Sequence, residues 1–186
     1  SVTERIVYDG SNIALTFDGQ GYQTHRYLFG PGVDQVLADE TTTGINWSLV
    51  DNQGTVRDII DSSGGVLNHL IYDSFGRVTN ETNSNVDFRY GYTGREWDKE
   101  TGLNYYRARY YDASTGRFLS QDSIGFGAGD INLYRYVFNS PINFIDPSGK
   151  ITFVIPGRGG QFGNIVQNLA DLPSRKYPVT PIPDPQ

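Results

Sequence analysis

Apolar and β-branched runs alternate with polar turns along the first half of the chain. The turns share a pattern, Asp followed three positions later by Gly: Asp18 with Gly21, Asp51 with Gly54, Asp61 with Gly64 and Asp73 with Gly76. Asp at the first turn position bonds the backbone two residues on, and Gly accepts a positive φ. After three of these turns the chain resumes as strand-like sequence, at Thr55-Val56, Val66-Leu67 and Arg77-Val78-Thr79. Successive turns from Asp51 to Asp73 stand 10 and then 12 residues apart, a loose internal repeat of strand and turn. Asp112 and Gly116 repeat the idea with one more residue between them.

Further on, strict alternation at Tyr105–Tyr111 predicts a strand. One face carries Tyr105, Arg107, Arg109 and Tyr111, and is expected to be solvated; the other carries Tyr106, Ala108 and Tyr110. Leu133 to Phe138 fits a helical face and an alternating one, and is assigned to a short helix or turn. Ile151 to Ile155 is a strand candidate, Gly157-Arg158-Gly159-Gly160 a loop, and Ile165, Leu169 and Leu172 a helical stripe that Pro173 stops. The last stretch holds Pro178, Pro181, Pro183 and Pro185, which exclude regular helix and central strand. That tail is expected to be extended against a surface or disordered. Helix should be minor, confined to about residues 131–138 and 162–172, in a predominantly antiparallel all-β fold.

Composition agrees with short strands and tight turns: 22 Gly, 13 Tyr and 10 Phe in 186 residues. The absence of Cys excludes disulfides and thiolate metal sites. A net charge of −6 argues against a general nucleic-acid binder. No apolar run is long enough for a membrane-spanning helix, and residues 1–20 lack the pattern of a signal peptide. A chain that starts at Ser1 is expected to be a fragment or a processed product.

Few motifs carry chemistry. Gly157 and Gly159 begin a phosphate-cradle pattern, but Phe162 stands where its third glycine belongs. His25 and His69 lack any accompanying nucleophile turn and are read as polar residues satisfied on strands. Asp98-Lys99-Glu100-Thr101-Gly102 lacks the acidic spacing of a calcium loop. No metal and no cofactor are expected.

A longer ordered pattern runs from Tyr92-Thr93-Gly94-Arg95-Glu96, through Glu100-Thr101-Gly102-Leu103-Asn104-Tyr105-Tyr106-Arg107-Ala108-Arg109-Tyr110-Tyr111-Asp112 and Thr115-Gly116-Arg117-Phe118-Leu119-Ser120. It continues in Asn132-Leu133-Tyr134-Arg135-Tyr136 and closes with Ile145-Asp146-Pro147-Ser148-Gly149-Lys150. This pattern resembles the Rhs-repeat (YD-repeat) associated core domain of Rhs polymorphic toxins and of the C components of insecticidal toxin complexes. Tyr72-Asp73-Ser74-Phe75-Gly76-Arg77-Val78 resembles one YD-repeat unit. The resemblance implies an antiparallel YD-repeat sheet forming part of an Rhs β-shell, or cocoon, around a C-terminal cargo. The expected organisation is YD-repeat units over 1–91, the core over 92–150, and a C-terminal segment over 151–186.

In the family, a pair of aspartates in Asp-Pro-x-Gly-like boxes carries out self-cleavage after the core, releasing the cargo. The matching boxes are Asp122-Ser123-Ile124-Gly125 and Asp146-Pro147-Ser148-Gly149, which implies a catalytic pair Asp122 and Asp146 and a cut between Lys150 and Ile151. Two departures stand in them: Ser123 where the family usually has Pro, and Lys150 where it has Leu. Two readings therefore stay open, a single-turnover aspartic autoprotease and a non-cleaving structural or adhesion module. Expected partners are the chain's own C-terminal cargo, the remainder of the shell, or further copies of the chain, with no nucleic acid and no membrane span. The resemblance further implies secretion or delivery by a bacterial secretion system. Tyr106, Tyr110, Phe118, Leu119, Leu133, Tyr136, Phe144 and Ile145 flank the two boxes as their largest apolar groups and are expected to form one packed cluster.

Overall fold

The computed structural model describes residues 3–86, 88–150 and 153–154. Eight strands form one antiparallel sheet in chain order: β1 (Arg5–Asp9), β2 (Asn12–Phe17), β3 (Gln23–Phe29), β4 (Val36–Thr41), β5 (Gly44–Val50), β6 (Val56–Ile60), β7 (Val66–Tyr72) and β8 (Val78–Glu81). A second antiparallel sheet holds β9 (Glu96–Asp98), β10 (Leu103–Tyr106), β11 (Arg109–Asp112) and β12 (Arg117–Phe118). A two-stranded ribbon pairs β13 (Phe144–Ile145) with β14 (Phe153–Val154). The all-β expectation holds.

The Asp-to-Gly turns have the anticipated chemistry. Asp51 Oδ1 accepts the amides of Gln53 and Thr55 at 2.9 and 3.1 Å, while the Gly54 amide bonds the Asp51 carbonyl at 3.0 Å. Asp61 and Asp73 repeat this with Gly64 and Gly76, also at 3.0 Å. Each of these aspartates thus closes its turn twice, through backbone and side chain. Gly76 answers a second demand: a Cβ there would lie 2.3 Å from the Tyr92 ring.

The buried apolar residues form two clusters. Ile13, Tyr27, Val36, Val56, Ile59, Phe88 and Tyr90 pack against the large sheet. Tyr92, Tyr106, Tyr111, Ala113, Phe118, Tyr136 and Val137 form the second, with Phe144 packed against it. Within it Tyr106, Tyr111, Phe118 and Tyr136 meet pairwise at ring separations of 4.5–5.8 Å, mostly edge to face.

Several expectations need correction. Tyr105 to Tyr111 is not one strand. β10 ends at Tyr106, the chain turns at Arg107 (φ +56°), and β11 resumes at Arg109. The pairs Asn104↔Tyr111 and Tyr106↔Arg109 share one face, and Tyr105↔Tyr110 the other. The turn reverses side-chain parity, so Arg109 faces inward and is only 5% exposed, while Tyr110 faces outward at 44%. Leu119 lies beyond the inward-facing Phe118 and is 53% exposed, so neither Tyr110 nor Leu119 joins the core. Tyr106, Phe118, Tyr136 and Ile145 are buried; Leu133 and Phe144 are half-buried. Leu133 to Phe138 forms turns leading into a short 3-10 turn at Val137–Asn139, where Phe138 has a φ of +56°. The expected Gly157–Gly160 loop, the 162–172 helix and the proline tail lie outside the described residues.

Phe118 is enclosed on all sides by rings and by the Arg109 guanidinium. Phe118→Ala is therefore expected to cost ~3–5 kcal/mol. Phe126→Ala, at a side chain 73% exposed, should change stability by less than ~0.5 kcal/mol. Urea melts of the two variants check this, and equal midpoints would contradict the assignment.

Candidate functional site

The inward turn of β11 brings Arg109 to the two Asp-Gly boxes. Each box is first a turn. Asp122 Oδ1 accepts the Ile124 amide at 2.8 Å, and the Gly125 amide bonds the Asp122 carbonyl at 3.0 Å. Asp146 Oδ1 accepts the Lys150 amide at 3.0 Å and the Ser148 hydroxyl at 3.2 Å. The other oxygen of each carboxylate points to the same cation. Arg109 Nη2 lies 3.0 Å from Asp122 Oδ2 and 3.4 Å from Asp146 Oδ2.

The rest of the guanidinium is engaged as well. Arg109 Nη1 donates to the Leu133 carbonyl at 3.1 Å and Nε to the Gly149 carbonyl at 2.5 Å. Its Cζ lies over the Phe118 ring, 3.6 Å from the ring centre. Burial lowers the Arg109 pKa, and the charges of Asp122 and then Asp146 pull it back up without cancelling the shift. From so high an ordinary value the side chain stays charged near neutrality. The structure thus places Asp122, Asp146 and the Lys150 amide around one arginine. Ile151 lies outside the described residues.

A cleft of about 30 Å³ opens here, room for a water or two. It is lined by the Arg109, Asp122, Asp146 and Lys150 side of the site and by the Asp130–Arg135 ion pair. In that pair Arg135 Nε donates to Asp130 Oδ2 at 2.7 Å.

The second box is also clamped from behind. The Ala108 amide donates to the Ser148 carbonyl at 3.3 Å, and Arg107 Nη1 to the Pro147 carbonyl. Gly149 sits so close that a Cβ would lie 2.4 Å from the Tyr106 carbonyl oxygen. Arg107 then reaches the large sheet, donating to Asp34 Oδ2 at 3.1 Å and to Asn12 Oδ1 at 3.1 Å. Arg95 Nη1 joins the same carboxylate at 2.9 Å.

Sequence reasoning pointed to the two aspartates through the resemblance and missed Arg109, which it assigned to a wet face. No local signal in the sequence marks the reversal at Arg107-Ala108 that turns Arg109 inward. The histidines stand apart from this site: His25 Nδ1 meets Asp39 Oδ2 at 2.9 Å and His69 Nδ1 meets Asp58 Oδ1 at 2.6 Å, each across neighbouring strands. Among the described residues no group of His, Asp and Glu is arranged to hold a metal ion, and no helix is long and apolar enough to cross a membrane.

Comparison with known proteins places this geometry in context. The Teneurin YD-shell family matches residues 34–142. The tRNA3(Ser)-specific nuclease WapA of Bacillus spizizenii is 35% identical over 160 residues, covering 82% of this chain and 7% of the relative. Salivary gland surface protein 1 of Aedes aegypti is 37% identical over 109 residues, covering 58% of this chain and 3% of the relative. The crystal structure of TcdB2-TccC3-Cdc42 superposes with a TM-score of 0.65 at 25% identity, covering 80% of this chain and 8% of the matched chain. The chain spans less than a tenth of the length of each of these three.

Replacing Arg109 by Leu leaves two carboxylates buried together without their cation. The variant should lose ~3–5 kcal/mol. Arg109→Lys should recover only part of it, because an ammonium lacks the fork that reaches four acceptors. Urea denaturation measures this; an unchanged midpoint in Arg109→Leu would show that the arginine does not hold the two boxes together.

Proposed function

The chain belongs to the Teneurin YD-shell family, and from that premise we propose that it is the closing portion of an Rhs-type toxin shell that holds its own C-terminal cargo. In this reading residues 1–91 continue the YD-repeat wall, residues 92–150 form the core that closes it, and residues 151–186 lead onward into the cargo. Two features support the reading: the antiparallel sheet whose eight strands follow one another in chain order, and the relatives, among which a tRNA3(Ser)-specific nuclease and the matched TcdB2-TccC3-Cdc42 chain share this portion of a much longer chain. Secretion, or delivery by a bacterial secretion system, goes with it.

The shell releases its cargo by one cut after Lys150, made by Asp122 and Asp146. The observation that carries this is the shared arginine: one guanidinium gathers both carboxylates, and one of those carboxylates holds the Lys150 amide. One guanidinium balances one carboxylate, so a proton on the other makes the trio neutral, which is the charge state that acid–base hydrolysis needs. The ionised carboxylate takes a proton from water as the hydroxyl adds to the Lys150 carbonyl. The protonated one delivers its proton to the Ile151 nitrogen as the C–N bond breaks. The products are a Lys150 carboxylate and an Ile151 amine. Holding the bond in the same chain replaces affinity with a high effective concentration, and a single turnover suffices.

A second reading, a non-cleaving wall or adhesion module, draws on the same arginine. Its four partners also make a purely structural clasp, and one relative is named a surface protein. Mass spectrometry of the 186-residue chain separates the two. The cleaving reading expects products ending at Lys150 and beginning at Ile151, absent in Asp122→Asn and in Asp146→Asn. A wild-type chain that stays intact for days assigns it to the non-cleaving class.

A further inference from the structure

Resting on the reading that the chain is cut after Lys150, we propose that β13 is the strand acceptor that holds the downstream side of that bond. Phe144 pairs with Val154 and Ile145 with Phe153, antiparallel. The connection from 146 to 152, which contains the second box and the bond, is thus closed at its base by backbone pairing. Asp146 follows β13 directly, and β14 starts three residues after Lys150.

The acceptor strand is itself anchored. Ile145 is buried, and Phe144 packs against the second aromatic cluster. The turn before it is closed by the Asn143 and Phe144 amides, which both donate to the Ser140 carbonyl at 3.1 Å. Gln53 Nε2 donates to the Pro141 carbonyl and so ties that turn to the Asp51–Gly54 turn of the large sheet. The upstream side of the bond is fixed as well, with the Lys150 amide on Asp146 Oδ1 and the Gly149 carbonyl on Arg109 Nε. The bond therefore lies between two anchors, one at Lys150 and one that begins at Phe153. Anchoring both sides of a short run of chain removes in advance much of the freedom that a reactive geometry would otherwise cost.

Antiparallel pairing is made by main-chain amides and carbonyls, so it recognises an extended strand through its backbone. The acceptor thus takes an extended segment of any sequence that has no proline at the two paired positions. A two-stranded ribbon is marginally stable by itself. It guides the bond for a single turnover and then lets the new Ile151 end peel away.

The test compares the full chain with Phe153→Pro/Val154→Pro, which lacks both β14 amide donors, and with Phe153→Ala/Val154→Ala, which keeps them. Mass spectrometry follows the cut after Lys150. The proline pair should slow it by about ten- to a hundredfold, and the alanine pair should stay within about threefold of the wild type. Amide hydrogen exchange at 144–146 reports on the pairing whether or not the chain cuts itself, and is read in the same three chains carrying Asp122→Asn. Exchange there should be at least about tenfold faster in the proline pair than in the other two, with β3–β7 unchanged. Equal exchange at 144–146 in all three chains overturns the acceptor, and so does a proline pair that cuts as fast as the wild type. An alanine pair as slow as the proline pair overturns recognition through the backbone. Faster exchange throughout β3–β7 would mean that β14 supports the whole fold, which equally overturns it. A wild type that never cuts, while exchange at 144–146 still responds to the proline pair, overturns the cut and upholds the strand acceptor.

Discussion

The structure depends on arginines taken out of water. Arg95 is 1% exposed and Arg109 5%, and each ends on a carboxylate and on backbone carbonyls from other segments. A buried charge without partners is costly, and a buried pair adds little stability over an apolar substitute. What these pairs impose is geometry. Arg95 and Arg107 converge on Asp34, in the connection between β3 and β4, and so fix where the small sheet sits on the large one. The approach is close: a Cβ on Gly94 would stand 2.2 Å from the Asp34 carbonyl oxygen. Arg109 does the same for the two boxes. The site is therefore a product of how the sheets are joined, and a shift at Asp34 would be passed through the 107–109 turn to the Pro147–Gly149 segment.

Net stability comes from the aromatic residues around these ions. Burial raises the tyrosine pKa values of the second cluster, beginning with desolvation in each case, so their hydroxyls remain neutral donors. Those donors are spent on the joint between the two sheets. Tyr92 OH bonds the Ser74 carbonyl at 3.0 Å and Tyr111 OH the Phe75 carbonyl at 2.7 Å. Both acceptors belong to the Asp73–Gly76 turn. That turn is thus also the seat on which the small sheet rests, which explains why Tyr rather than Phe recurs in this region: the ring supplies area and the hydroxyl meets a turn carbonyl.

The parts of the fold legible in the sequence were those settled locally. An Asp that closes its own turn and a Gly that accepts positive φ need no distant partner, so the turns at Asp51, Asp61 and Asp73 and the antiparallel order between them could be read directly. The 107–108 reversal could not. It has no Gly, Asn or Pro, and it sets Arg107 at a φ that a long side chain ordinarily avoids. Bonds from Arg107 to Asp34, Asn12 and Pro147 hold it there, and all three partners are remote in sequence. Because strand parity flips at that point, one unread turn misplaced Arg109 and Tyr110 together. The aspartates of the site were reached through an ordered family pattern, whereas the cation that joins them was concealed by the same flip.

The turn aspartates Asp61, Asp73, Asp122 and Asp146 each close their turn through one oxygen, and the partner of the other oxygen differs from turn to turn. At Asp61 the turn sits at the surface, and its first oxygen takes the Ser63 hydroxyl and amide along with the Gly65 amide. At Asp73 the second oxygen meets Arg77 at 3.2 Å, four residues on and largely exposed, an interaction worth ~0–1 kcal/mol at most. At Asp122 and Asp146 the second oxygens meet a desolvated arginine carried by another strand, where charge is screened far less. The sequence motif is nearly the same in all four places. Asp122 and Asp146 are the two of these four whose second oxygens share one buried guanidinium, and the cleft beside them has room for a water or two. The Asp-to-Gly pattern therefore marks where the chain turns, and the buried arginine marks the two turns that it ties together.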